Sequence, residues 1–100
     1  MAESAELLAL LKLDLLITST AYDSFLMQQI GGAKLMISRE GVTLPQEEAA
    51  YTAEDKQLVL GYAAYLFRLR SDQDTEFPRW LRWALNNRIF AEKTGGDSNV

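Results

Sequence analysis

The sequence predicts an all-α fold: a small bundle of about four helices with a disordered C-terminal tail. Three observations predict it. Apolar residues recur at helical spacing in four separate segments. Two of those segments are preceded by a hydroxyl residue with an aspartate three positions later, the capping-box spacing. Gly41, Pro45 and Pro78 stand where helices would have to end or begin.

The first helix is expected over residues 4–12. Leu7, Leu8, Leu10 and Leu11 lie within about two turns, and the Ser4 hydroxyl can accept from a free amide at the start. Leu13 to Thr20 mixes apolar and hydroxylated residues and reads as a connection, with Leu15 and Ile17 pinned to the core. Thr20 and Asp23 have capping-box spacing, so a second helix is expected over 20–40. At about 100° per residue, Tyr22, Phe25, Leu26, Ile30, Ala33, Met36 and Ile37 share one arc of it. Gly41 suits a left-handed C-terminal cap, and Pro45 keeps the helix from resuming.

Thr52 and Asp55 repeat the cap spacing ahead of a third helix, 53–70. Its segment Leu58 to Leu69 is apolar on nearly every side: Leu58, Val59, Tyr62, Tyr65, Leu66 and Leu69 share an arc, while Leu60 and Phe67 point the other way. That helix is either central or faces another subunit. Ser71 to Glu76 forms a polar, acidic loop, and Pro78 opens a fourth helix over 78–92, to about Lys93. The expected core is Leu26, Ile30, Ala33, Ile37, Leu58, Tyr62, Leu66, Leu69, Leu81, Leu85 and Ile89. Residues 1–93 make a single domain, and 94–100, with Gly95, Gly96, Asp97, Ser98 and Asn99, offer almost nothing to bury.

Composition narrows the function. With 48% hydrophobic and 24% charged residues the chain is globular, not a disordered polyelectrolyte. A domain of 100 residues buries only about 60 to 65% of its unfolded surface, so contacts with neighbours would add needed stability. The net charge of -4 argues against a dedicated nucleic-acid binder. Cysteine and histidine are both absent, which removes thiol nucleophiles, disulfides, thiolate or imidazole metal sites and the commonest general base. No catalytic residue, cofactor or metal is expected. No stretch approaches the roughly 20 apolar residues of a membrane helix, and Glu3 and Glu6 stand where a signal peptide carries lysines, so a cytosolic protein is expected.

The carboxylate pairs Glu47 with Glu48, Glu54 with Asp55, and Asp72 with Asp74 fall in loops or caps, where solvation or capping explains them better than acid–base chemistry. Gly31 and Gly32, adjacent in mid-helix, each cost about 1 kcal/mol relative to alanine. Close helix packing, a kink or plain drift would account for them. In the fourth helix Phe77, Trp80, Leu81, Ala84, Leu85 and Ile89 form one broad apolar arc opposite Arg79, Arg82, Asn86 and Lys93. Trp83 and Phe90 fall on the basic side. Large aromatics among arginines typify protein interfaces, so Arg79, Arg82, Trp83, Asn86 and Phe90 form a candidate interface, the alternative being that the aromatics are covered within the monomer.

Leu58 to Arg70, LVLGYAAYLFRLR, and Phe77 to Lys93, FPRWLRWALNNRIFAEK, resemble the head-tail connector, or adaptor, proteins of long-tailed bacteriophages and prophages. The stretch Ile37 to Leu44, ISREGVTL, resembles the same proteins. The resemblance spans helices two to four without a catalytic fingerprint. It implies a structural virion protein that assembles as a homo-oligomeric ring, joins the phage portal protein to a tail-side connector or stopper protein, and leaves an axial channel for DNA. Assembly would take place in the bacterial cytoplasm. The family pattern usually has alanine or polar residues where this chain has Gly31 and Gly32.

Two rival readings stand beside it. One is a small helical nucleic-acid-binding or DNA-packaging regulatory protein, with Arg79, Arg82, Asn86, Arg88 and Lys93 touching phosphates. Residues 79–93 carry four basic residues and one acidic, a local charge of +3. The other is an enzyme working with carboxylates alone, for which no pocket is predicted.

Overall fold

The computed structural model describes residues 4–98, and side chains over 4–94. Among these residues there are four α-helices and no strand: α1 (Ala5–Leu15), α2 (Asp23–Glu40), α3 (Ala53–Ser71) and α4 (Arg79–Ser98), with a 3-10 turn at Glu48–Ala50 between α2 and α3. The all-α bundle is as the periodicity predicts. α2 and α3 are the central pair, each packed against the other three helices, while among the described residues the backbones of α1 and α4 do not approach each other.

The core draws on all four helices: Leu7 and Leu11, Leu26, Ile30, Ala33 and Ile37, Leu58, Val59, Tyr62, Ala63 and Ala64, then Leu81 and Leu85. Leu66 and Ile89 pack against it half-buried. Leu69, expected inside, is only partly covered, because near the C-terminal end of α3 the neighbouring helices no longer surround it. Val42 and Tyr51, from the α2–α3 connection, are buried as well.

α3 starts as predicted. The Thr52 hydroxyl accepts from the Asp55 amide at 3.1 Å, and the Asp55 carboxylate accepts from the Thr52 amide at 2.9 Å, completing a capping box. α2 also ends as predicted, on Gly41 at φ 112°, in the left-handed region.

The other two predicted caps do not form. At Thr20 and Asp23, helix α2 begins at Asp23 itself, and the carboxylate reaches Lys12 Nζ at 2.7 Å. A charge-assisted bond to a lysine outcompetes a neutral amide. Ser4 precedes α1 at φ 69° without a side-chain cap. Its amide donates to Glu48 Oε1 at 2.8 Å and its hydroxyl donates to the same carboxylate, which also pairs with Lys34. Glu48 thus takes the Ser4 amide and hydroxyl as donors from the 3-10 turn, and the hydroxyl so engaged does not cap α1.

α1 runs past its predicted end because Leu15 continues the apolar face of Leu7 and Leu11, and it ends on Leu16 at φ 60°. Pro78 lies just ahead of α4, its carbonyl accepting from the Arg82 amide at 3.1 Å. The helical backbone of α4 continues to Ser98, past the expected end near Lys93. Of the tail predicted over 94–100, Asn99 and Val100 lie outside the described residues. Thr94 belongs to the helix, its hydroxyl donating to the Phe90 carbonyl at 3.0 Å.

α2 runs unbroken through Gly31 and Gly32. A Cβ added at Gly31 would meet nothing within 4 Å, and one at Gly32 would make ordinary contact with Leu66 Cδ1 at 3.6 Å. Neither a kink nor a close approach inside the monomer calls for these glycines.

Candidate interaction surface

Leu81 and Leu85 are fully buried and anchor α4 on the bundle, which turns the opposite side of the helix outward. At about 100° per residue, Arg79, Trp83, Asn86 and Phe90 fall within about 60° of one another on that outward side. Trp83 is 72% exposed and Phe90 68%, so neither is covered within the monomer. Arg79 and Asn86 are exposed beside them.

Arg82 departs from this group. Its guanidinium grips Glu40 with two bonds, 2.7 and 3.1 Å, and lies 4.7 Å from the Phe77 ring centroid, clamping α4 to the end of α2. Hydrogen bonding to Glu40 raises its pKa above the usual arginine value.

Arg88 is engaged still more fully. Its guanidinium meets Asp55 Oδ1 at 2.7 Å and Glu92 Oε2 at 2.8 Å, and donates to the Thr43 carbonyl at 3.0 Å. Glu92 in turn accepts from the Thr43 amide. This knot ties α4 to the start of α3 and, through Thr43, to the start of the α2–α3 connection. Burial pushes the Asp55 carboxyl up, but the Thr52 amide and Arg88 outweigh it and hold the group below its ordinary value. Burial likewise opposes the ionised Glu92 and Glu48, and their partners, Thr43 with Arg88 and Lys34 with Ser4, outweigh it in the same direction. The carboxylate pairs therefore divide: Asp55 and Glu48 hold the fold together, whereas Glu47, Glu54, Asp72 and Asp74 are exposed. Among the described residues no group of three or more acidic, histidine or cysteine side chains could hold a metal ion.

Trp80, on the apolar arc of α4 but not among the expected core residues, is 51% exposed. Its ring lies against Gly61 of α3: a Cβ there would come within 2.5 Å of Trp80 Cη2. Gly61 is a notch for the indole. Because α1 and α4 stand apart, α3 is open between them, and an apolar groove of about 420 Å³ runs there, lined by Leu10, Leu13, Leu60, Gly61 and Trp80, with Asp14 and Gln57. Across Trp80 it adjoins a second groove of about 520 Å³, formed by Arg79, Trp80, Trp83, Ala84 and Asn87. The sequence held one signal for this feature, a glycine inside an apolar helix, which costs about 1 kcal/mol unless something needs the space.

No protein family, characterised protein or solved structure matches the chain. Among the described residues no helix is long and apolar enough to cross a membrane.

Proposed function

We propose that the chain is a structural adaptor of a phage particle, a head-tail connector. Copies form a ring between the portal protein and a tail-side connector or stopper protein, and DNA passes through the axial channel. The observation that carries this reading is the outward face of α4, where Trp83 and Phe90 stand exposed beside Arg79 and Asn86 on a helix held rigidly by Leu81, Leu85, Arg82 and Arg88. Aromatic and arginine side chains on a rigid helix are the residue types that dominate protein interfaces. The sequence resemblance supplies the particular assembly.

The rival nucleic-acid reading loses support from the ion pairs. Of its four cations, Arg82 and Arg88 are neutralised by Glu40, Asp55 and Glu92, so the local excess of positive charge does not reach the surface as a phosphate-binding patch. Electron microscopy of the purified full chain tests the proposal. Closed rings with a central opening are the expected result. Particles without an opening, or monomers that retard DNA in a salt-sensitive manner, would contradict it.

A further inference from the structure

The proposed ring needs a second surface on each copy, and the outer face of α2 has the form of one. Ser24, Met27, Gln28, Gly31, Leu35 and Ser38 are exposed on it; before Arg39 the charges at its edge, Asp23 and Lys34, are partly buried and paired with Lys12 and Glu48. Leu35 is 53% exposed and Met27 37%, and the space around Gly31 is empty. α2 and the groove lie on different sides of α3. Leu66, which meets α2, and Gly61, which meets Trp80, are about 140° apart around the α3 axis.

We infer that the α2 outer face of one copy docks into the α1–α3–α4 groove of a second copy, with Gly31 passing beneath Trp80 and Leu35 entering beside Leu13. The inference rests on the self-association in the proposed function and names the two surfaces that meet. Three features favour a second copy as the occupant. The groove is walled by bulky side chains, Leu13, Trp80 and Trp83, and the α2 face is flat where Gly31 lacks a side chain, so a helix backbone can approach closely. Arg39 has no ionic partner among the described residues, and Asp14 at the groove's edge has only Arg68, at 4.0 Å, so docking brings opposite charges together one turn beyond Leu35. The two surfaces differ and lie on different sides of the molecule, so the contact is head-to-tail, the type that builds rings when its rotation closes. The glycine that the monomer does not need then has a reason.

The chain has no cysteine, so pairs can be introduced without background. The experiment mixes full-length Leu35→Cys with Leu13→Cys under mild oxidation, beside each variant alone and the wild type's native mass. A disulfide-linked dimer in the mixture, absent from each variant alone, is expected. Leu35→Cys linking to itself would mean a two-fold contact and overturn the inference. Association of the wild type without the mixed cross-link would overturn this pairing and leave the ring reading intact, whereas a wild type that stays monomeric would overturn both. A second variant, Gly31→Leu, fills space that is empty in the monomer. It should fold at least as stably as the wild type yet associate about thirtyfold or more weakly, as loss of a central contact does; unchanged association would overturn the inference.

Discussion

Asp55 shows how much one side chain carries here. It caps α3, it is 2% exposed, and it neutralises Arg88, so the cap and the α3–α4 tie share a carboxylate. Removing one partner of a buried pair leaves the other unmatched, and Asp55→Ala should cost about 3 kcal/mol or more in urea unfolding. The same carboxylates set the acid response. Asp55, Glu48 and Glu92 all titrate below their ordinary values in the folded chain. Their contribution is therefore full above the unfolded carboxylate value, about 4, and is lost as pH falls through the lower folded values. Unfolding midpoints followed downward from neutral pH should fall mainly below about pH 4, with a weaker dependence in Asp55→Asn; a wild-type midpoint flat through that range would refute the assignment. Gly31 behaves in the opposite way. With nothing within 4 Å of its missing Cβ, Gly31→Ala should stabilise the monomer by about 1 kcal/mol through helix propensity alone.

At the scale of elements, α4 divides its labour between two faces, and the division can be measured. Leu85 is fully buried, so Leu85→Ala should lower unfolding stability by about 2 to 5 kcal/mol. Trp83→Ala and Phe90→Ala should each change it by no more than about 0.5 kcal/mol, because both rings are in water, while weakening self-association about thirtyfold or more. Large destabilisation by both would make them core residues and remove the interface. The helices were legible in the sequence because their periodicity is strong: Leu26, Ile30, Ala33 and Ile37 mark the buried face of α2 without ambiguity. Caps were legible only when both partners were local, as for Thr52 and Asp55. Where a distant charge competed, as Lys12 does for Asp23 and Glu48 does for Ser4, sequence spacing misled, since the winning contact depends on tertiary proximity. Arg82 was misplaced for the same reason: its position on the helix is near the outward face, yet its length lets it reach back to Glu40. Trp80 lies on the apolar arc yet stays half-exposed, because Gly61 seats its ring at the edge of a groove, a pairing across two helices that periodicity within one helix does not show.

The whole molecule combines a core that is well tied internally with two exposed surfaces, the apolar Trp80–Trp83 side and the outer face of α2, where Met27 and Leu35 stand among small and uncharged polar residues. Its Cα envelope measures 49 × 34 × 18 Å, about two helix layers thick, with α2 and α3 each packed against the other three helices and α1 and α4 on the flanks. Thin domains of this size gain stability by association. The measurement that bears most directly on the adaptor account is the native mass of the full chain across concentration, with Trp83→Ala alongside. The account predicts a discrete species at a fixed multiple of 11.3 kDa for the wild type, dispersed to monomer in the variant. A single species of 11.3 kDa for both proteins at every concentration would contradict it.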